Sequence, residues 1–195
     1  MKLLLGVSCL AITAGCAQPM RIDPAHLAGG HATLRLEASG LAGYVAIPLI
    51  SHQVVNVTLS RFPGCADGAP RDAGDTELGR ATLTPKESRQ TVSIPAGVEL
   101  AISAESSEAT AGGGGFSCRM AVRFRSEPGA EYVLKFRPAP TVLRLGPSPA
   151  SGSRPCGMAI HELKQGVEAA VASAHFATVQ DRGFWLGRTL NLCLP

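Results

Sequence analysis

Along most of this chain, apolar and polar residues alternate with a period of two, the pattern of strands that bury one face. In 32–38, Leu34 and Leu36 alternate with Thr33, Arg35 and Glu37. In 54–60, Val55, Val57 and Leu59 alternate with Asn56, Thr58 and Ser60. A less regular strand is predicted at 43–49, ending at Pro48, and another at 79–84. Between 61 and 77 the Pro, Gly and Asp residues predict a long loop. The most regular alternation lies in 116–125 and 131–137. Cys118, Met120, Val122 and Phe124 share one face, with Arg119, Arg123 and Arg125 on the other. In the second segment Tyr132, Leu134 and Phe136 point in while Lys135 and Arg137 point out. Glu127-Pro128-Gly129-Ala130 fits a type II turn, because Gly accepts positive φ at the third position. These two strands are therefore expected to be antiparallel neighbours. By the same logic Pro95-Ala96-Gly97 is expected to join 90–94 and 98–104 as a hairpin.

Toward the C-terminus, short strands are predicted at 141–145, 156–163 and 188–193. Val167, Ala170, Val171 and Ala174 sit at helical spacing and predict a short helix over 164–175. Frequent turn residues, 22 Gly and 14 Pro among 195, separate short apolar runs and favour an all-β fold. Seven to nine strands at this spacing predict a single immunoglobulin-like two-sheet β-sandwich over 31–195, with the short C-terminal helix appended.

The first residues, MKLLLGVSCLAITAGC, obey a different rule. Lys2 precedes an apolar run, Leu3 to Ile12, and small residues then lead to Cys16. About ten apolar residues are too few to cross a hydrocarbon core of roughly 30 Å as a helix, so the segment has the form of a cleaved export signal. Thr13-Ala14-Gly15-Cys16 resembles the lipobox of bacterial lipoproteins. The resemblance implies cleavage before Cys16 and lipidation of that cysteine. Ala17 after it implies sorting to the outer membrane, facing the periplasm. Ordinary secretion to the soluble periplasm, with cleavage after Ala17, is the alternative. The order of strands and turns over 90–163 is also similar to small uncharacterised proteobacterial envelope lipoproteins, a likeness that implies no activity. Residues 17–30, with Pro19, Pro24, Gly29 and Gly30, have no period and are expected to form a flexible tether with an average reach of about 20 Å.

Export changes the meaning of the cysteines. With Cys9 in the signal and Cys16 lipidated, Cys65, Cys118, Cys156 and Cys193 remain. Four cysteines in an exported chain imply two disulfides with three possible pairings. Pairing in chain order, Cys65–Cys118 and Cys156–Cys193, is the expectation. None lies in a CxxC motif, which argues against a zinc ribbon.

Catalytic motifs are lacking: no HExxH, GxSxG or GxxxxGK[ST] occurs. The Gly112–Gly115 run has no Lys-Ser/Thr after it and is taken as a loop. His26, His31, His52, His161 and His175 are scattered without metal-ligand spacing, so no metal or cofactor is expected. His161 and Glu162, adjacent on a strand, point to opposite faces and do not form an acid–base pair. Phe184-Trp185 is expected to plug an end of the core. A net charge of +3 does not indicate nucleic acid. If 116–125 and 131–137 are neighbours, Arg119, Arg123, Arg125, Lys135 and Arg137 share one face and make the candidate surface for an anionic lipid or glycan. The sequence thus predicts a membrane-anchored envelope lipoprotein acting as a non-catalytic binding or structural module. The alternatives are an accessory subunit of an envelope protein complex, or a cell-wall or envelope enzyme.

Overall fold

The computed structural model describes residues 17–41, 43–46, 49–66, 69–70, 76–108, 118–138, 156–181 and 188–193. The signal with Cys9 and Cys16, the strand expected at 141–145, Gly112–Gly115 and Phe184-Trp185 lie outside them, as does the side chain of His52.

A 3-10 turn, Pro24–Leu27, precedes the strands. They are β1 (His31–Ala38), β2 (Gly43–Ala46), β3 (Leu49–Arg61), β4 (Cys65–Ala66), β5 (Ala69–Pro70), β6 (Glu77–Leu83), β7 (Arg89–Pro95) and β8 (Glu99–Glu108). There follow β9 (Cys118–Arg125), β10 (Glu131–Arg137), β11 (Gly157–Lys164), β12 (Val167–Ala170), β13 (His175–Phe176), β14 (Thr178–Asp181) and β15 (Arg188–Asn191). One sheet runs β12-β11-β10-β1-β7. The other runs β13-β9-β8-β3-β2, with β6 also paired to β3. Two small ribbons, β4-β5 and β14-β15, complete the described strands. The fold is a two-sheet β-sandwich, as the alternation implies.

The core is made of the residues that period two places inside. Leu34, Leu36, Leu134 and Phe136 of one sheet meet Val57, Leu59, Ile102, Val122 and Phe124 of the other, all at most 1% exposed. Tyr132 and Phe124 pack edge to face across the layers, with ring centroids 5.1 Å apart.

Both expected hairpins are instead arches between the sheets. β9 pairs with β8 and β13, whereas β10 pairs in parallel with β1 and antiparallel with β11. Likewise β7 pairs with β1, and β8 with β3. The Pro128-Gly129 turn forms as expected, with Gly129 at φ +73° and Ala130 N–H donating to Glu127 O at 3.2 Å. A turn of this hand splays the flanking strands rather than twisting them together, so each strand is delivered to a different layer. The two arches lie side by side. Gly97 N–H donates to Ser126 O at 2.8 Å, and Ser126 N–H returns to Val98 O at 3.2 Å. The fully buried Ser126 donates its hydroxyl to Pro95 O at 2.7 Å. We call this end of the sandwich the arch pole.

The expected helix over 164–175 is a hairpin. Gln165 and Gly166, at φ +54° and +81°, form a two-residue turn joining β11 to β12. Positive φ at both turn positions matches the strand twist, and Gln-Gly overrides the helical spacing that follows.

Residues 17–30 are not a free tether either. Gln18 and Thr82 exchange backbone hydrogen bonds at 3.2 and 2.9 Å, Met20 is buried at 7% exposure, and Ile22 packs against the core. Met20 and Ile22 alternate with Arg21 along the open edge of β6, giving this stretch an apolar face. At Gly79 the approach is so close that a Cβ would lie 2.8 Å from the carbonyl oxygen of Arg21.

Disulfides link Cys65 to Cys193 and Cys118 to Cys156, with Cα separations of 5.6 and 6.2 Å. The number agrees with the sequence, but the chain-order pairing does not. Cys118 begins β9 of one sheet and Cys156 immediately precedes β11 of the other, so this bond ties the two sheets, and Cys193, just past β15, returns to Cys65 on β4.

Candidate functional site

The arches disperse the expected basic face. Arg119, Arg123 and Arg125 point outward from the β9 sheet, and Lys135 and Arg137 from the β10 sheet, with the core between them. Arg123 is committed locally: Nη1 lies 2.6 Å from Glu99 Oε1, and the guanidinium sits 5.4 Å from the centre of the Phe62 ring. Arg125 donates to Gly97 O at 3.1 Å and so helps tie the arch. Arg119 is exposed, with Glu105 opposite it on β8.

On the β10 sheet the side chains build a different arrangement. Register aligns Arg35, Val133 and His161 in a row across β1, β10 and β11. Lys135 lies one pleat along, and Glu168 reaches in from β12. Lys135 Nζ contacts both Glu168 carboxylate oxygens, at 2.6 and 2.7 Å. His161 Nδ1 lies 3.3 Å from Glu168 Oε2. The Lys135 hydrogen bond, aided by the charges of Lys135, His161 and Arg35, holds the Glu168 carboxyl below the usual carboxylate range. Arg35 also pairs with Glu37 at 3.1 Å and Glu131 at 3.8 Å. The residues alternate in sign, and Val133 is fully buried in their midst although it faces outward.

No protein-family model, curated protein or solved structure matches the chain. A general base works best with its pKa near the operating pH, but Glu168 is pushed the other way. The Lys135–Glu168–His161 group also lies on an open sheet face, where water is not excluded. It reads as a charge lattice that keeps a sheet face ordered. Lys135 and His161 are both named by the sequence, but Glu168, which joins them, is not, because the spacing over 164–175 predicts a helix; the Gln165-Gly166 turn is the signal that finds it. His161 and Glu162 do diverge as expected, Glu162 pairing with Lys164 at 3.0 Å.

Grooves lined by described residues border the sandwich. One, of about 540 Å³, is lined by His26, Arg61, Phe62, Thr76 and Glu77, among others. Another, of about 270 Å³, lies between Ser39, Lys135, Arg137 and the start of β11. Among the described residues no three His, Cys, Asp or Glu side chains are grouped to hold a metal ion. His31 opens β1, and His175 faces Arg123 across β13 and β9. No helix among the described residues is long and apolar enough to cross a membrane. The two disulfides fit a domain that resides outside the reducing cytoplasm.

Proposed function

We propose that the mature chain is a lipid-anchored β-sandwich of the bacterial envelope, held at the outer membrane by Cys16 and acting as a non-catalytic binding or structural module. The observation that carries this reading is the apolar run ending in Ala14-Gly15-Cys16, placed immediately before a domain closed by two disulfides. An export signal and an oxidising compartment are two independent pointers to the same destination. The neutralised Lys135–Glu168–His161 lattice supports the non-catalytic part. The test is fractionation of cells carrying Cys16→Ser. Several acyl chains anchor stably where one does not, so the variant is expected in the soluble periplasmic fraction, and wild type in the membrane. A variant that pellets as firmly as wild type overturns the anchor.

A second reading, an accessory subunit of an envelope complex, draws on one feature. The short strands β12 and β13 expose Val167 at 67% and Phe176 at 41%. Crosslinking in intact cells followed by mass spectrometry separates the readings: a recurrent protein partner at these strands favours the subunit, and recovery of lipid or glycan alone favours the module.

A further inference from the structure

We infer that the end of the sandwich opposite the arches lies directly on the membrane surface, with Lys86, Arg89, Arg119 and Arg137 against anionic phospholipid headgroups. This rests on the anchoring of Cys16 proposed above and deepens it by giving the domain an orientation.

The first step is where the chain enters the fold. Gln18 is fixed to Thr82 by two backbone hydrogen bonds, and Met20 is buried two residues later. The strand partner is antiparallel, and Arg21 already lies beside Gly79. The antiparallel direction therefore puts Ala17, the residue before Gln18, on the side of Leu83 and the turn at 84–88. One residue, Ala17, separates Gln18 from Cys16, and the two extended steps between them reach at most about 7 Å. An anchor at Cys16 thus has almost no slack: the end of the sandwich beside that turn must follow the lipid to the headgroups.

The second step is what that end carries. Ala38 N–H donates to Ser88 O, and Ser39 N–H to Phe136 O, which brings the ends of β1 and β10 to the same pole. Arg137 ends β10 opposite Gly157, and the Cys118–Cys156 disulfide draws Arg119, at the start of β9, to that pole as well. Arg119 and Arg137, separated as a sheet face, are thereby reunited at an end. Arg89 begins β7, with its side chain 76% exposed and 3.8 Å from Glu37. Lys86 is exposed at the tip of the 84–88 turn. The facing carboxylates are Glu37, shared between Arg35 and Arg89, Glu105 opposite Arg119, and Glu87 within the turn. Lys86 and Arg137 form no ion pair with any described carboxylate. Basic groups held at a membrane surface gain from anionic headgroups only within about a Debye length, near 10 Å. An anchor without slack keeps them inside that distance.

The chain contains its own probe. Beyond Lys2, its lysines are Lys86, Lys135 and Lys164. Lys86 lies at the inferred membrane pole, and Lys164, 65% exposed, ends β11 at the arch pole. The lipidated protein is inserted into preformed vesicles of phosphatidylcholine and phosphatidylglycerol, labelled with a membrane-impermeant amine reagent, and mapped by mass spectrometry against the same protein in detergent. Labelling of Lys86 is expected to slow several-fold in vesicles while Lys164 is unchanged. A flexible Gly/Ser spacer inserted after Ala17 is expected to restore Lys86 labelling with the protein still floating with the vesicles. Co-flotation with Lys86 and Lys164 equally reactive overturns the orientation and leaves the anchor standing. Failure of the wild-type protein to float with the vesicles overturns both.

Discussion

The side-chain amide of Gln90 on β7 accepts the backbone N–H of Met20, at 3.1 Å. The same amide donates to Gln18 O at 3.1 Å and Thr82 O at 3.3 Å. One side chain thus joins the edge of one sheet, the edge of the other and the entering chain. Gln90→Ala leaves these groups without that partner and is expected to destabilise by about 1–2 kcal/mol. Gln90→Glu keeps an acceptor for Met20 but sets a carboxylate against two carbonyl oxygens, so it is expected to be at least as damaging. Urea denaturation gives the stability, and trypsin cleavage after Arg21, accelerated in both variants, reports release of the entering segment.

The separation between what the chain pattern discloses and what it withholds is physical. Period two places Leu34, Leu36, Leu134, Phe136 and Phe124 in the core without error, because alternation is a property of the strand itself. It is silent on which strands pair, since β9 and β10 alternate identically whether they form a hairpin or an arch. The type II turn at Pro128-Gly129 already argues for the arch, because its hand does not match a tight hairpin. The expectation of a single basic face rests on that one choice, and the arch divides its residues between the two sheets. The bonding of Gln18, Met20 and Gln90 had no local signature at all, being made by residues 70 or more apart in the chain.

Pairing of the cysteines is the most direct check on the arches. Peptide mapping without reduction is expected to yield Cys65–Cys193 and Cys118–Cys156, and recovery of Cys65–Cys118 would be incompatible with the strand order. The Cys118–Cys156 bond spans 38 residues. Loop-closure entropy assigns a crosslink of that span about 4 kcal/mol. The Cys118→Ala/Cys156→Ala variant is therefore expected to unfold at markedly lower urea.

Glu168 sets an acid limit on the β10 sheet. Its carboxyl is held below the usual carboxylate range chiefly by the Lys135 hydrogen bond. A folded-state pKa depressed in this way contributes stability above the unfolded value, which is lost as pH falls through the folded value. Wild type is expected to lose more stability than Glu168→Gln as pH is lowered from 6 toward the acid range, with the two curves converging at the acid end. Tm measured as a function of pH checks this, and parallel curves throughout would refute it.

Tyr132 works at the opposite end of the pH scale. Its ring is 1% exposed against Phe124, and its hydroxyl oxygen accepts the N–H of Glu127 at 2.9 Å, bracing the arch that carries the chain from one sheet to the other. Burial, the largest influence, raises the phenol above its ordinary pKa despite the backbone hydrogen bond that acts in the other direction. A raised folded-state pKa contributes stability that is fully present below the unfolded value, near 10, and is lost as pH rises through the folded value. Tyr132→Phe keeps the ring packing and removes the bond to Glu127, so at neutral pH it is expected to lower stability by about 1–2 kcal/mol. At strongly alkaline pH wild type must unburden itself of a buried proton that the variant does not possess, and the difference between the two is expected to shrink or reverse. Urea midpoints at neutral pH and at pH above about 10 decide it. A difference that stays constant across that range would mean that the Tyr132 hydroxyl is not titrating from a buried site, whereas no difference at neutral pH would mean that the arch is held without its bond to Glu127.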